Sequence, residues 1–519
     1  MTRSEFARQA FEECCSAETT VRYGSKRGAP FWNQEATMFM YVPAFQFTSV
    51  RGCRRYLYRA VDENGGVHTF EADNCCALLT PIWSELPEGM IRLSVTALLP
   101  DGSEYALAGA RTFFRSSPFP EVTPPALCSY SECATKAYRF AMSQGFVQHW
   151  LKYGTPDPAY DLNVYPSKMI SALVDAMLSY SRLCPEVAED ALKIAVNAAD
   201  YLISITPRGD VPLADLPPTY YIDFCPDPEK YGVLTANRRA AEARVGTMMM
   251  IYPAQVGLMY LNMERATGDP KYLEEALKIA SYYRDTVQPN GSWYLLRSCK
   301  TGDPIVPNYV SPLTDVVPFL TALHHRTKDE HWRVMSENAV NYILNTQLRT
   351  YNWEAQFEDT TASANYVNLT HFSAVALATY FAEFHANDPE RMKTAKELMR
   401  FAEDQFVIWK RPYAIASRDT SQWHTPCALE QYFWYVPIDS SAAGIARGFL
   451  AMYQAGCGDL YLAKARALMD QMTRMQRDDG RIPTHWMNTE EAEKNFWFNC
   501  MFYTCRVLEM MAEYQDTEI

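Results

Sequence analysis

Apolar residues three and four positions apart define segments that recur about every sixty residues through about the last four hundred positions. In one copy, these residues lie on a single helix face: Tyr272, Leu273, Ala276, Leu277 and Ala280. Each copy starts near an Asp, a residue type that caps helices: Asp269, Asp329, Asp388 and Asp459. Such a repeat is one helical hairpin whose apolar face must be buried by its neighbours.

The repeats predict an outer and an inner set of helices. Outer helices are predicted near 131–150, 185–204, 268–288, 329–348, 388–408 and 458–476. Inner helices are richer in small and apolar residues and are predicted near 167–182, 246–264, 312–326, 369–385, 440–455 and 494–513. Because the last inner helix can pair with the first outer one, the hairpins close a ring. The prediction is a mainly α fold, an (α/α)6 toroid over 131–519.

An open solenoid is the alternative architecture for tandem hairpins. Solenoid turns are short, whereas long connections precede each inner helix here. These connections are 153–166, 205–245, 289–311, 349–368, 409–439 and 477–493. In a closed ring they meet at one mouth, and long loops inside a compact domain are commonly functional.

The first 119 residues have a different period, typical of short strands separated by turns. Strands are predicted near 38–47, 54–61, 67–71, 91–98 and 112–115. They predict a small antiparallel β-sandwich over 1–119, similar to a fibronectin type III module. The proline-rich residues 120–130 are predicted to form a stiff linker.

Charge and composition argue against several classes of function. The net charge of -13 is spread without a Lys/Arg-rich run, which makes nucleic acid and anionic membranes poor partners. The chain has no apolar stretch of about twenty residues, and its first residues lack the apolar core of a signal peptide. With 14 irregularly spaced Cys residues, this predicts a cytoplasmic protein with reduced thiols, unless a leader was removed. The oligomeric state stays open.

Aromatic residues gather in the connections at the predicted mouth. Aromatic faces stack on the CH faces of sugar rings, while carboxylates and amides bind hydroxyls, so this composition predicts a carbohydrate site. The candidate substrate-binding residues of this kind are Tyr220, Trp353, Trp423, Tyr432, Trp434 and Trp486. The alternative is that these rings only pack one loop against another.

The densest acidic segment lies in the connection at 349–368. Cleavage of a glycosidic bond requires a protonated carboxyl group and a second carboxylate. Glu354, Glu358 and Asp359 are candidates, since burial and mutual repulsion would raise their pKa values. The alternative is a solvated acidic turn or a helix cap.

Further candidates flank the predicted inner helices. Asp315 and Asp439 stand at helix starts, where Asp also acts as a cap and the helix dipole favours an ionised base. Glu430 is another candidate acid. Arg418 and His424 are candidate substrate-binding residues, and Arg418 would clamp a substrate carboxylate unless it forms a surface salt bridge. No metal or cofactor is predicted, because HExxH, GxGxxG, Walker, CxxC and GxSxG motifs are absent.

Two short segments resemble those of a known group. The run Asp-Ser-Ser-Ala-Ala-Gly-Ile at 439–445 is similar to one in the six-hairpin glycosidases, nearest to the unsaturated glucuronyl hydrolases. Residues 315–320 resemble the Asp-x-x-x-x-Leu segment that carries a catalytic Asp in that group. The resemblance implies an (α/α)6 toroid, hydrolytic activity and a catalytic role for Asp315. The group's His-Asp pair followed by Gly-Phe has no match, and Asp223 lies in the corresponding hairpin, so ordinary glycosidic hydrolysis is expected.

The resulting hypothesis is a glycoside hydrolase that cleaves an oligosaccharide or polysaccharide, including one with a uronic acid, by carboxylate acid/base catalysis. Two alternatives stay open. A polysaccharide lyase or uronate epimerase on this scaffold would abstract a proton with Tyr366 and His371, or with His424 and Tyr432. A non-catalytic carbohydrate-binding protein would bind sugar without forming product.

Overall fold

The computed structural model of the protein describes residues 2–17, 22, 36–307, 309–354, 366, 368–411, 419–432 and 435–519, together with the backbone of 414, 415 and 418. Two regions follow one another along the chain. The first is built on a β-sheet, and the second, larger region is built from helices.

The N-terminal region contains short strands, as its sequence predicts. Its described elements are α1 (Arg3–Ser16), β1 (Met38–Phe39), β2 (Ala44–Gln46), β3 (Arg55–Val61), β4 (Val67–Ala72), β5 (Cys76–Leu78), α2 (Thr80–Trp83), β6 (Gly89–Leu98) and β7 (Glu104–Arg115). Five strands form a sheet in the order β1-β7-β6-β3-β4, and β2 pairs with β5. Alternate residues of β6, including Ile91, Leu93 and Val95, are buried, so one face of the sheet covers a core.

One strand pair departs from the expected antiparallel arrangement, because β1 pairs in parallel with β7. Only two residues of β1 take part in this pairing. The next amides, of Met40 and Tyr41, donate to Asp404 Oδ1 at 2.5 and 2.7 Å. The chain therefore leaves the sheet after two residues and contacts the helical region.

The helical region begins at residue 130. Its described helices are α3 (Tyr130–Ser143), α4 (Gly145–Tyr153), α5 (Pro166–Leu183), α6 (Ala188–Ile205), α7 (Pro228–Tyr231), α8 (Ala236–Glu242), α9 (Tyr252–Thr267), α10 (Pro270–Thr286), α11 (Leu313–Thr327), α12 (Glu330–Asn345), α13 (Gln347–Thr350), α14 (Phe372–Phe384), α15 (Pro389–Phe406), α16 (Asp439–Gln454), α17 (Asp459–Met475), α18 (Glu490–Lys494) and α19 (Phe498–Met511). The described strands of the connections are β8 (Thr247–Met249), β9 (Leu296–Ser298), β10 (Val407–Ile408), β11 (Ala414–Ile415), β12 (Arg418–Asp419) and β13 (Cys427–Ala428).

Six helical hairpins of the described residues form a closed ring. The inner helices α5, α9, α11, α14, α16 and α19 pack in that order, and each pairs with an outer helix. The last inner helix, α19, packs against α5 and also against α3, the first outer helix, which closes the ring. The predicted (α/α)6 toroid is therefore confirmed. The inner helices approach closely, since a Cβ atom on Gly257 of α9 would lie 2.4 Å from the Phe319 ring of α11.

Most predicted helix starts agree with the structure. Asp269, Asp329 and Asp388 occupy cap positions and accept hydrogen bonds from first-turn amides. Asp459 does not, because Gly458 takes the cap position with a φ of 115°. The predicted helix at 131–150 is divided into α3 and α4 at Gln144, which adopts an extended conformation.

Helix α1 was not predicted, although the sequence carries its signal. Thr2 and Glu5 form a capping box, in which the Glu5 amide donates to Thr2 Oγ1 at 3.3 Å and the Thr2 amide donates to Glu5 Oε2 at 2.7 Å. Phe6, Ala10 and Cys14 are four residues apart, and all three are buried. The helix packs against the outer helix α17.

A buried ion pair lies where the N-terminal region meets the toroid. Lys464 Nζ lies 2.7 Å from Glu403 Oε2, and both side chains are 2% exposed. The Tyr41 hydroxyl and Trp409 Nε1 also donate to the Glu403 carboxylate, each at 2.9 Å. The domain boundaries predicted at residues 119 and 130 stay a prediction. The two regions are nevertheless joined by this buried group of polar side chains.

We predict that Lys464→Ala lowers the free energy of unfolding by about 3–5 kcal/mol, because it leaves the Glu403 carboxylate buried without its cation. Urea unfolding measures the change. Lys494→Ala is the matched control, since Lys494 pairs with Glu490 at the surface, and it should cost less than about 1 kcal/mol. Equal effects of the two substitutions would contradict a stabilising role for the buried pair.

Candidate active site

The inner helices all begin at one end of the ring, which we call the mouth. The connections into α14, α16 and α19 are joined there by backbone hydrogen bonds. The Asp439 amide donates to the Thr484 carbonyl at 3.0 Å, and the Trp486 amide donates to the Pro437 carbonyl at 3.0 Å. An isolated β-bridge joins Thr370 to Gln431. Separate segments of the chain therefore form one layer over the inner-helix starts.

Three titratable residues occupy the starts of three successive inner helices. Asp315 is in the first turn of α11, His371 directly precedes α14, and Asp439 is the first residue of α16. The Thr314 hydroxyl donates to the Ser373 hydroxyl at 3.0 Å, which ties the starts of α11 and α14 together. The ring therefore places two carboxyl groups and an imidazole along one arc of the mouth.

Asp315 is a partly exposed carboxyl group with a perturbed pKa. Gln255, in the first turn of the neighbouring helix α9, donates from Nε2 to Asp315 Oδ1 at 3.1 Å. Burial raises the pKa of Asp315 to about 6, against the smaller lowering effect of this hydrogen bond. A carboxyl group with this pKa changes its protonation state just below neutral pH.

Asp439 is fully buried, and burial raises its pKa well above the ordinary value. The Thr504 hydroxyl of the neighbouring helix α19 donates to Asp439 Oδ2 at 3.1 Å. Oδ1 has no hydrogen-bond partner among the described residues. The nearby Glu430 carboxylate adds to the rise in the pKa of Asp439, so these two acids lie close enough to interact.

The helix dipole was expected to favour the ionised form at these helix starts, whereas burial raises the pKa of both carboxyl groups. Neither Asp takes the cap position, which belongs to Pro312 in α11 and to Ile438 in α16. Amides of the first turn do lower the pKa of Asp439, but the cost of burying its charge is larger. Burial therefore outweighs the helix dipole at both acids.

His371 lies between the two acids in the order of the helices. It is 1% exposed, and burial lowers the pKa of its imidazole to about 3, so the ring is neutral at physiological pH. Neither ring nitrogen has a hydrogen-bond partner among the described residues. From the sequence, His371 was a candidate only under the lyase or epimerase alternative. Its position directly before a predicted inner helix is the sequence feature that could have identified it as a site residue.

Other buried polar atoms in the mouth also lack partners within the described part of the chain. They are Trp353 Nε1, Asn368 Oδ1 and Nδ2, Gln431 Oε1, Ser441 Oγ and Trp486 Nε1. Buried polar groups are nearly always hydrogen-bonded, so such a cluster is typical of a functional site. Donors and acceptors of this kind match the hydroxyl groups of a sugar.

The acidic segment at 354–359 is only partly described. Glu354 is 5% exposed, and its Oε1 accepts a hydrogen bond from the Asn368 amide at 3.0 Å, which holds the two ends of this connection together. Glu358 and Asp359 lie outside the described residues. The catalytic roles of all three acids stay predictions.

The candidate substrate-binding aromatic residues that the structure describes are buried. Trp353, Trp423, Tyr432, Tyr220 and Trp486 are each at most 5% exposed. The Tyr432 hydroxyl donates to Gln405 Oε1, and the Tyr220 hydroxyl contacts Met249 Sδ at 3.8 Å. These five rings are packed in the interior, and their binding roles stay predictions.

The remaining candidates differ in what the structure describes. His424 is partly exposed, and its Nε2 lies 2.7 Å from Asn488 Oδ1. Arg418 is described only by its backbone in β12, and Trp434 lies outside the described residues. Within the described part of the chain, no group of three His, Cys, Asp or Glu residues is placed to hold a metal ion. The described helices include none with the length and hydrophobicity of a membrane span.

Neither a family model nor a curated protein matches the sequence. The structure is similar to a cellobiose 2-epimerase from Spirochaeta thermophila, with a TM-score of 0.51 and 13% identity over 74% of this chain and 96% of that chain. A family 76 glycoside hydrolase from Bacteroides thetaiotaomicron gives a TM-score of 0.48 and 10% identity over 93% of this chain and 99% of that one. An unsaturated glucuronyl hydrolase from Streptococcus agalactiae gives 0.45 and 12%, over 75% and 92%. At this level of sequence identity the similarity supports a shared fold only. The cellobiose 2-epimerase, with a TM-score above 0.5, is the structure on which that statement rests.

We predict that Asp315→Asn stabilises the protein at neutral pH. The pKa of Asp315 is raised in the folded state, so the wild-type free energy of unfolding falls as pH rises from about 4 to about 6. The substitution removes that loss and keeps an acceptor for Gln255, so stability at pH 7 should increase by on the order of 2 kcal/mol. Urea unfolding across this pH range measures it.

The matched control is Asp210→Asn, which changes an exposed carboxylate in the connection at 205–245. It should leave the pH dependence of unfolding unchanged. If Asp315→Asn also leaves it unchanged, Asp315 is not held at a raised pKa.

Proposed function

We propose that the protein is a carbohydrate-active enzyme that hydrolyses a glycosidic bond at the mouth of the toroid. The observation that carries the proposal is the placement of two carboxyl groups, Asp315 and Asp439, at inner-helix starts on one arc of the mouth, where burial raises the pKa of each. Glycosidic hydrolysis requires such a pair, one protonated and one ionised.

The two acids take different roles at neutral pH. Asp439, whose pKa burial raises well above the ordinary value, acts as the general acid that protonates the leaving oxygen, and Oδ1 is the oxygen for this step because Oδ2 binds Thr504. Asp315 is mostly ionised above pH 6 and acts as the base or nucleophile. Glu430, close to Asp439, is the next candidate.

Access to Asp439 requires a change in the layer above it. Its carboxyl group is fully buried at the start of α16, where the segments around Thr484 and Pro437 pair with each other and with the Asp439 amide. Part of this layer must move before Oδ1 can reach a glycosidic oxygen of the substrate.

His371 supports a second candidate reaction, proton abstraction by an epimerase or lyase. The neutral imidazole has no partner for either ring nitrogen among the described residues, and it acts as a base only where bound substrate raises its pKa from about 3. The cellobiose 2-epimerase that shares the fold gives a precedent for sugar chemistry on this scaffold. In this reaction His371, rather than the carboxyl pair, is essential.

We predict that Asp439→Asn and Asp315→Asn each lower kcat by about a thousandfold, because each removes one proton-transfer step. Asp210→Asn is the control and should retain wild-type activity. Turnover of a panel of neutral and uronate-containing oligosaccharides, followed by mass spectrometry, measures the loss and identifies the product. Hydrolysis adds one water, elimination yields an unsaturated product, and epimerisation leaves the mass unchanged.

His371→Gln separates the two candidate reactions. A hydrolase should keep activity within about tenfold of the wild type, whereas an epimerase or lyase should lose nearly all of it. Thermal unfolding verifies that each variant folds. Full activity of both Asp variants would exclude the carboxyl pair, and binding without any product would identify a non-catalytic carbohydrate-binding protein.

We also predict a bell-shaped pH dependence of kcat/KM. Activity should rise as pH passes about 6, where Asp315 ionises, and should fall again when Asp439 loses its proton. Initial rates in overlapping buffers measure both limbs. Glu430→Gln should keep the acidic limb, and a flat profile from about pH 5 to 7 would contradict the role of Asp315.

A further inference from the structure

A second concave surface lies on the rim of the toroid, away from the three titratable residues. We call it the aromatic groove, and it is lined by His149, Tyr153, Tyr201, Tyr221, Asp223 and Phe224, together with Thr155, two prolines and Ile205. It encloses a volume of about 540 Å³. Small-ligand sites commonly have volumes of about 300–1,000 Å³, so the groove has room for several sugar units.

The groove is built where two connections cross two helices. Helix α4 ends at Tyr153, and Gly154 reverses the chain in the left-handed conformation with a φ of 70°. The next connection crosses the first, because the Tyr221 amide donates to the Val164 carbonyl at 3.0 Å. Helix α6 contributes Tyr201 and Ile205 from its last turns. Backbone pairing and helix packing therefore fix the shape of the groove.

The groove is formed in part by the connections that lead into α5 and α9, so it lies at the same end of the ring as the mouth. Tyr220 is buried, and its ring packs against Tyr165 at 6.0 Å between centroids, immediately before α5. The next residue, Tyr221, is partly exposed and lines the groove. Helix α5 stands opposite α14 in the ring, so the groove lies across the mouth from His371.

The groove's side chains match a neutral sugar. Tyr153 is 58% exposed, and its ring is accompanied by three further aromatic rings that can stack on the CH faces of sugar units. Asp223 and the tyrosine hydroxyls supply hydrogen-bonding groups for sugar hydroxyls. The described lining residues include no Arg or Lys, and the Asp223 carboxylate would repel a uronate. A neighbouring cation is Lys152, whose Nζ lies 4.8 Å from the centre of the Tyr153 ring and covers one face of it, which leaves the other face for a sugar.

We propose that the aromatic groove is a second carbohydrate-binding site, which holds the distal part of a neutral oligosaccharide whose reactive bond lies at the mouth. The choice of ligand rests on the proposed function, while the existence of the site rests on the groove itself. Each stacked sugar unit adds contact area far from the reacting bond. The groove therefore favours long substrates over short ones without taking part in the chemistry.

The test measures binding without turnover, using the Asp439→Asn protein. Isothermal titration with a linear β-1,4-linked glucose hexamer, an α-1,6-linked mannose hexamer and a galacturonate trimer gives the affinities. At least one neutral hexamer should bind, and Tyr153→Ala and Tyr221→Ala should each weaken it by about tenfold. Tyr105→Ala is the matched control, because Tyr105 is an exposed tyrosine of β7 outside the groove, and it should leave binding unchanged.

Three results would overturn the proposal: no binding of either neutral hexamer, equal binding after both groove substitutions, or tighter binding of the galacturonate trimer. Since Tyr153 is exposed, Tyr153→Ala keeps the test valid even if Tyr221→Ala unfolds. The outcome is separable from that of the proposed function. If the groove variants lose sugar binding, the groove proposal is supported even when the Asp315 and Asp439 variants keep full activity. If the Asp315 and Asp439 variants lose activity, that result supports the proposed function and does not test the groove.

Discussion

The structure depends on the contact that closes the ring, where the last inner helix, α19, packs against both α3 and α5. Each hairpin buries one apolar face and presents another, so an open array would leave apolar surface at both ends. Closure removes both ends at once. It also fixes the angle between neighbouring inner helices, because each has a neighbour on either side, and contacts such as Gly257 against Phe319 leave little room for rearrangement.

Closure brings together segments that are far apart in the sequence. The starts of α11, α14 and α16 are separated by more than a hundred residues from first to last, yet all lie on one arc of the mouth. A carboxyl group there is surrounded by neighbouring helices, and burial raises its pKa. Holding Asp315 and Asp439 in this environment costs stability, which the tightly packed ring tolerates. The helices that form the ring therefore also raise the pKa values of the two acids.

The sequence predicted the ring because period and length were both clear: apolar positions three and four apart, repeated in twelve helices with Asp caps at three of the outer ones. It also located Asp315 and Asp439. The sequence could not predict that the pKa values of these two acids would be raised, because burial is a property of the assembled helices and not of residues 312–316 alone. The same limit applies to Trp353 and Trp486, whose burial depends on several connections meeting above the inner helices. Helix α1 was missed because its apolar residues are few, although its capping box was visible.

The N-terminal region is connected to the mouth by a short chain of hydrogen bonds. Gln405 Nε2 donates to the Met38 carbonyl of β1 at 3.3 Å, and Gln405 Oε1 accepts from the Tyr432 hydroxyl. The Tyr432 amide donates in turn to the Leu369 carbonyl at 3.0 Å, two residues before His371. Since Asp404 also binds the amides that follow β1, the end of α15 is shared between the sheet and the mouth. The β-region therefore contacts one wall of the candidate active site through the end of α15.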